Sequence, residues 1–330
     1  MRFLGNVLAT VIGIFVFMML SFFGIILIGV IFGGDSETVE VENNSVIELN
    51  LSDISDDYAG KYSDPWVTAF SERKKIGLTD VINAIEIAET DDAIKGISIL
   101  NTNSSLGMAQ SKELRDALNR FKKSGKFIYS YANNYSQKEY YLNSVATSIY
   151  INPIGELDFK GLSTEVMFFK DFQEKSGLKM EVIRHGKYKS AVEPFLENKM
   201  SDANKEQTMA LLNGIWTNIV EDISKSRNIP VEKLNTIANG LLARTPEMAK
   251  AQNLIDYIAY EDVYHNAIRK VLKVDKDEDY NTVSIADYTQ KTTTTSVNMD
   301  SNDAIAIVYA QGEIGSGEGD VNEIGEGSMR

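Results

Sequence analysis

The stretch from Gly186 to Phe195, GKYKSAVEPF, holds the residues whose types and spacing could do chemistry. Lys189 stands at its centre, flanked by small and apolar side chains. A lysine acts as a general base only when it is neutral near pH 7, so desolvation has to lower a pKa that is ordinarily about 10.4. A neutral amine can then take the proton of a serine hydroxyl and make that oxygen nucleophilic. On composition alone, however, Lys187 and Lys189 match ordinary surface lysines.

Other catalytic groups are scarce in this chain. It has no cysteine and only two histidines, His185 and His265. This composition excludes disulfide scaffolds, thiolate zinc sites and cysteine nucleophiles, and it rules out a metal cluster built on several histidines. Neither histidine has a partnered nucleophile or acid in the sequence, so we expect His185 to be hydrogen-bonded or exposed and His265 to be structural. Any acid–base chemistry of this protein is therefore expected to use carboxylates or lysine.

Three serines are candidates for a nucleophile beside the lysine. Ser136 lies at a predicted loop–helix junction, where a helix N-cap is the stronger interpretation. Ser190 adjoins Lys189, and neighbouring side chains on an extended chain point apart. Ser316 lies in a Gly-Ser-Gly sequence, which indicates only a turn. The chain thus contains a candidate base without a convincing nucleophile.

Two further residues of the stretch constrain the lysine. Pro194 stiffens the turn that follows it. A carboxylate paired with Lys189 would raise the pKa of the amine and oppose a role as base. We therefore expect the Glu193 side chain to point away from the Lys189 amine.

The overall composition narrows the class of protein. The 330 residues are enough for one large domain or two ordinary ones, and 43% hydrophobic with 24% charged residues is typical of a globular protein with a core. There are 47 acidic and 33 basic residues, which gives a formal net charge of -14. Such an acidic chain is a poor match for nucleic acid, so no nucleic-acid partner is expected.

The N-terminal residues 1–34 are predicted to be a transmembrane anchor. Residues 4–32 contain no Asp, Glu, Lys or Arg, and roughly 20 apolar residues span a bilayer core. The run is longer than the apolar region of about 7–15 residues in a cleaved signal peptide, which favours a retained anchor. Arg2 precedes it and an acidic linker, residues 35–44, follows. The positive-inside rule then places the N-terminus in the cytoplasm and the bulk of the chain outside it.

From residue 45 the pattern alternates between strands and helices. Strands are predicted over residues 45–51, 96–100, 126–131, 148–151 and 179–184, and helices over residues 78–89, 109–123, 136–145 and 164–176. Residues 52–76 are predicted to form a loop. Such alternation indicates βαβ crossovers and a mostly parallel sheet, hence an α/β domain. The rest is helical, with helices predicted over residues 202–227, 231–238, 246–252 and 262–272.

The C-terminal part has a different composition. Residues 273–302 are polar and rich in threonine, which predicts a linker. An apolar strand is predicted over residues 304–309, followed by a glycine-rich stretch. One strand cannot fold alone, so residues 303–330 are expected to be the start of a second domain that continues beyond Arg330.

The motif YKSAVEPF at residues 188–195 resembles that of the signal peptide peptidase A family, also called protease IV, in its long, duplicated form. Shorter matching pieces lie at residues 125–126, 134–137, 140–141, 199–201 and 253–256. The resemblance covers residues 45–272, as the first peptidase-family domain, and residues 304–327, as the opening of its homologous second domain. It implies a crotonase/Clp-protease-like α/β fold with βαβ units and a helical C-terminal part, preceded by one transmembrane helix.

The same resemblance implies a Ser/Lys dyad divided between two domains. Lys189 falls on the family's lysine base, and the serine nucleophile with its oxyanion-hole donors is expected in the second domain, beyond Arg330. Within the first domain, Gln137 rather than Ser136 falls on the position that corresponds to the nucleophile.

In functional terms, the resemblance implies a serine endopeptidase that degrades cleaved signal peptides without a metal or organic cofactor. The chain is expected to be a single-pass protein of the cell inner membrane, with its bulk on the periplasmic side, and to form a ring- or bowl-shaped homo-oligomer. Two alternatives remain: a non-catalytic, membrane-tethered assembly or peptide-binding module of the same fold, and a crotonase-type acyl-CoA enzyme. An extracytoplasmic domain behind a membrane anchor disfavours coenzyme A substrates.

Overall fold

The structure is a computed structural model that describes residues 2–32, 40–55, 57, 76–100, 104–295, 312–319 and 323–327. It divides into two compact units, residues 1–40 and residues 41–330. The predicted strand at residues 304–309 and most of the predicted loop at residues 52–76 lie outside the described residues.

The first unit contains one helix, α1, Arg2–Phe32. Its sequence is apolar all round, which is typical of a helix that meets lipid rather than water. The stretch Gly5–Ile25 is long and apolar enough to cross a membrane by length and composition, and none of it is buried. The predicted transmembrane segment is therefore a continuous helix of the required length.

The second unit is organised around a six-stranded sheet in which every neighbouring pair of strands is parallel. Its strands are β1 (Ser45–Asn50), β2 (Ile94–Leu100), β3 (Phe127–Ala132), β4 (Ser148–Ile151), β5 (Tyr257–Ile258) and β6 (Thr282–Ser284). They lie in the order β5-β4-β3-β2-β1-β6. A separate pair of short parallel strands, β7 (Glu313–Ile314) and β8 (Glu323–Ile324), completes the described strands.

The central strands are buried on both sides because helices flank a parallel sheet. Ile47, Ile97 and Ile128 lie side by side in register and are fully buried. Neighbouring residues such as Val46 point to the opposite face. There, Val46 and Phe127 join a cluster of buried side chains with Tyr264, Ile268 and Leu272. The sheet therefore has a core on each side.

The helices of the second unit occupy most of the positions that periodicity predicts. They are α2 (Leu78–Thr90), α3 (Met108–Lys123), α4 (Gln137–Asn143), α5 (Lys170–Ser176), α6 (Glu193–Leu196), α7 (Asp202–Arg227), α8 (Val231–Asn239), α9 (Pro246–Ala251), α10 (Glu261–Leu272) and α11 (Ile285–Thr295). The predicted α/β class with a parallel sheet is confirmed.

One boundary differs from the prediction: the fold continues into the predicted linker at residues 273–302. Strand β6 pairs with β1, and α11 packs against α2 and β1. Tyr288 on α11 is fully buried, and its hydroxyl donates a hydrogen bond of 2.9 Å to Asp91. Burial of a few apolar side chains outweighs the polar, threonine-rich composition, and a strand of three residues is too short to show alternation.

We expect Tyr288→Ala to lower the free energy of unfolding by about 3 kcal/mol, because it leaves a cavity between α11 and α2. Tyr288→Phe removes only the hydrogen bond to Asp91 and is expected to cost about 1 kcal/mol. Urea unfolding followed by circular dichroism measures both variants. Equal stability of Tyr288→Ala and the wild type would mean that residues 285–295 are a solvated linker after all.

Candidate active site

The motif lies on an exposed segment between β4 and α7, residues 161–200, which we call the motif arm. Its only regular elements are the short helices α5 and α6. The backbone N–H of Phe169 donates to the carbonyl oxygen of Pro194 over 2.6 Å, and the rings of Phe169 and Phe195 stack. These contacts join the two short helices. The helix predicted over residues 164–176 begins only at Lys170, directly after the Phe169 backbone N–H that bonds to Pro194.

The prediction of a strand over residues 179–184 is wrong. Residues 177–192 contain neither helix nor strand. Met180 and Ile183, two of the apolar residues in the predicted strand, are exposed, as is Leu178 just before it. A strand needs a neighbouring strand for its backbone hydrogen bonds and a core for its apolar face, and this segment has neither in the described part of the chain.

Lys189 lies at the wall of an open cavity of about 530 Å³. Gly186 introduces the loop with φ +109°, a conformation that glycine reaches without strain. The cavity wall is largely apolar, and its members include Val182, Ile183, Tyr188, Ala191 and Val192. Within the described residues, the Lys189 amine has no hydrogen-bond or ion-pair partner. Lys189 is exposed, so its amine is accessible to a group that enters the cavity.

Lys187, two residues earlier, is engaged. Its Nζ donates to Glu206 Oε2 and to the Tyr188 hydroxyl, each over 2.9 Å, and Tyr188 donates in turn to Glu206 Oε1 over 2.9 Å. The hydrogen bond to Glu206, followed by that to Tyr188, raises the pKa of Lys187. The contacts therefore favour the ammonium form of Lys187, which cannot accept a proton.

Glu193 is buried, with 4% of its surface exposed, and its carboxylate is fully occupied. Ser201 donates from Oγ to Oε1 over 2.6 Å and from its backbone N–H to Oε2 over 3.3 Å. Asn204 donates to Oε2 over 3.0 Å, and Arg184 Nη1 lies 3.8 Å from Oε1. These partners turn the carboxylate toward the first turn of α7, as expected for a side chain that points away from the Lys189 amine.

The candidate serines have other roles or no contact with the lysine. Ser136 is the N-cap of α4: its Oγ accepts from the backbone N–H of Glu139, whose carboxylate accepts from the N–H of Ser136. Ser190 is partly buried beside Lys189, and Ser316 is exposed after β7. No hydrogen bond in the described parts of the chain joins any of the three to the Lys189 amine.

Gln137, which the resemblance predicts at the position corresponding to the nucleophile, holds a turn closed. Its Oε1 accepts from the backbone N–H groups of Lys160 and Gly161 over 3.0 and 2.9 Å, and its Nε2 donates to the Gly161 carbonyl over 2.9 Å. Gly161 has φ +87°, which allows consecutive N–H groups to converge on one oxygen. Gln137 therefore fastens the beginning of the motif arm to α4.

The two histidines differ in their surroundings. His265 Nδ1 lies 2.7 Å from the Tyr280 hydroxyl and its Nε2 lies 3.4 Å from Glu261, which confirms a structural role. His185 is exposed and contributes to the cavity wall near Lys189.

Sequence reasoning missed three residues that surround the motif: Arg184, Asn204 and Glu206. A buried carboxylate needs donors, so Glu193 within an apolar motif was the available signal that partners exist. Which residues supply those donors depends on the fold.

The hydrogen bond from Ser201, with smaller contributions from Asn204 and Arg184, holds the pKa of Glu193 below its ordinary value of 4.5. These bonds therefore stabilise the fold above that pH, and the stabilisation is lost as the pH falls through the lowered pKa. We expect Glu193→Gln to lower the free energy of unfolding by about 2 kcal/mol at pH 7, with the difference from wild type shrinking in acid. Urea unfolding at a series of pH values measures this, and Glu197→Gln, an exposed carboxylate on the same arm, is the control. A difference that is independent of pH would contradict the prediction.

Comparison with known proteins identifies the family. Residues 120–275 match peptidase family S49. The chain is 31% identical over 309 residues to "Protease 4" of Haemophilus influenzae, which aligns 88% of this chain with 50% of that protein. It is 33% identical over 258 residues to "Protease 4" of Salmonella typhi, covering 75% of this chain and 41% of that protein. It is 29% identical over 285 residues to "Serine protease SPPA, chloroplastic" of Arabidopsis thaliana, covering 86% of this chain and 41% of that protein.

The chain thus spans about half the length, or less, of these relatives. It belongs to peptidase family S49 and, within that family, to the signal peptide peptidase A group that its motif resembles.

Proposed function

We propose that this chain is the lysine-bearing part of a membrane-anchored serine endopeptidase and that Lys189 is the general base of its Ser/Lys dyad. One observation carries the proposal. In the motif of a family S49 peptidase, the Lys189 amine at the cavity wall has no partner among the described residues, whereas Lys187 and Glu193 have their partners elsewhere. A base requires this arrangement, because a neighbouring carboxylate would stabilise the ammonium form.

In the proposed mechanism, a peptide lies along the cavity and desolvates the amine. The neutral Lys189 takes the proton of a serine hydroxyl as that oxygen attacks the scissile carbonyl, and the protonated lysine then gives the proton to the leaving amine. Water, deprotonated by the same lysine, then attacks the acyl group, and the protonated lysine returns the proton to the serine oxygen as the acid product leaves. Backbone N–H groups near the serine stabilise the oxyanion.

The serine belongs, in this proposal, to a second domain whose opening residues are 303–330. The contacts of Ser136, Ser190 and Ser316 support this placement, since none of them reaches the Lys189 amine within the described residues. Division of the dyad between domains means that the lysine becomes a base only once the second domain covers it and excludes water.

The proposed substrates are signal peptides that remain in the membrane after export. The apolar wall of the cavity suits the apolar side chains of such peptides. Helix α1 provides an anchor close to them. Arg2 before the helix and the acidic residues after it support an orientation with the second unit on the periplasmic side of the inner membrane.

We also propose that copies of the chain assemble with one another. Apolar side chains are exposed along the motif arm and on the first half of α7, among them Met167, Phe172, Ile183, Met209 and Leu211. An exposed apolar surface of this kind is typical of an interaction site.

A second candidate function is a non-catalytic, membrane-tethered module that binds peptides in the same cavity. The absence of a serine in contact with Lys189, within the described residues, favours this alternative. The two candidates differ in whether the amine is needed for hydrolysis.

We expect Lys189→Ala in the full-length peptidase to reduce kcat for a fluorogenic signal-peptide substrate by about 10²- to 10⁴-fold, because general-base assistance is lost. Lys179→Ala is the matched control: this lysine lies on the same arm in an exposed pair with Glu181, and such pairs contribute little. Ordinary turnover by Lys189→Ala would exclude Lys189 as the base, and no turnover by the wild type would favour the binding module.

The 330-residue chain by itself is expected not to react with a fluorophosphonate probe, because no serine among the described residues contacts the Lys189 amine as an activating base. Mass spectrometry after labelling measures this, with a known serine hydrolase as positive control. A label on Ser136 or Ser190 would show that the nucleophile lies within this chain.

A further inference from the structure

The position of Lys189 cannot come from secondary structure. The backbone from residue 177 to residue 192 belongs to no helix or strand, and much of its surface is exposed. Such a segment has little to restrain it unless side chains tie its backbone to a rigid element. A catalytic amine has to be held within a fraction of an ångström, so the ties that reach Lys189 matter for its chemistry.

One such tie reaches the backbone of Lys189 itself. Arg184 Nη1 donates to the Lys189 carbonyl oxygen over 3.1 Å. The same nitrogen lies 3.8 Å from Glu193 Oε1. The guanidinium of Arg184 therefore lies between the carbonyl of the candidate base and the buried carboxylate of the motif.

The carboxylate is in turn fixed to α7, the longest described helix of the second unit. Ser201, the N-cap of α7, and Asn204 in its first turn donate three hydrogen bonds to Glu193. Hydrogen bonds to a buried carboxylate are charge-assisted and costly to break. Glu193 is thus held rigidly by α7. The connection runs from α7 through Glu193 and Arg184 to the backbone of Lys189.

Arg184 contributes more to the orientation of the Lys189 backbone than to the stability of the fold. Its side chain is 39% exposed and its separation from Glu193 is long for an ion pair, so the pair adds little stability. Its hydrogen bond to the Lys189 carbonyl, however, orients that backbone and hence the direction in which the lysine side chain leaves it. Loss of Arg184 leaves Glu193 with its bonds to α7 and frees only the loop.

We infer that Arg184 is a positioning residue, which together with Glu193 holds the backbone of Lys189 in a fixed position relative to α7. This inference rests on the proposed role of Lys189 as a base. It adds that the motif loop depends on a residue outside the motif.

The test compares Arg184→Gln with wild type in the full-length peptidase under steady-state conditions. We expect kcat to fall by about 10²-fold, the effect of an ångström-scale misplacement of a catalytic group, with KM unchanged. Arg184→Lys keeps one donor for the Lys189 carbonyl and is expected to recover part of kcat. Lys179→Gln, on the same arm but outside this connection, is the control and is expected to retain wild-type kcat.

Hydrogen exchange separates positioning from unfolding. In Arg184→Gln, we expect faster exchange of amides at residues 186–190 and unchanged exchange in strands β1–β3. Unchanged kcat, or a loss confined to KM, would overturn the inference while Lys189→Ala remained inactive. Activity in Lys189→Ala would instead overturn the proposed function itself, so the two failures are distinguishable.

Discussion

The placement of α7, and with it the site, depends on one buried cation. Arg115 on α3 is 1% exposed. Its two terminal nitrogens donate to the Tyr141 carbonyl and Ser144 Oγ at the end of α4, and to the Asp222 carbonyl and Ser226 Oγ on α7. A guanidinium without acceptors is very costly in a protein interior. The meeting of α3, α4 and α7 at this point supplies acceptors for both terminal nitrogens, while Nε is buried without a partner in the described residues.

Polar contacts also fix both ends of helix α7. At its C-terminal end, Arg227 forms an ion pair of 2.8 Å with Asp256, whose carboxylate also accepts from the backbone N–H of Ile149 in β4. At its N-terminal end, Ser201 and Asn204 bind the carboxylate of Glu193. Arg115 and the ion pair beside β4 thus hold α7 in place, and α7 in turn holds the motif. An arm that is largely exposed obtains a defined geometry through one helix and a few charge-assisted hydrogen bonds.

The sequence predicted elements well wherever apolar side chains repeat and a core receives them. Strands β1 to β4 and helices α2, α3 and α7 lie at or within a few residues of their predicted positions, because buried residues such as Ile97 and Leu118 set a clear period. The same reasoning failed at Met180 and Ile183, whose apolar side chains are exposed and meet no sheet in the described part of the chain. It failed in the opposite direction at Val283 and Tyr288, where a polar composition conceals residues that complete the sheet and its core. Periodicity registers apolar side chains, but it does not register what covers them.

For the site, the sequence by itself determined the family, the motif and the identity of the candidate base, because these depend on residue types in a fixed local order. It also determined the apolar N-terminal helix, which needs only length and composition. Only the tertiary structure decided that Lys187 is paired with Glu206 while Lys189 has no partner in the part of the chain that is described, and that Arg184 and Ser201 converge on Glu193. The physical reason is that hydrogen bonds and ion pairs require separations of a few ångströms. The chain establishes those separations by folding α7 against Arg115, and no spacing along the sequence records them.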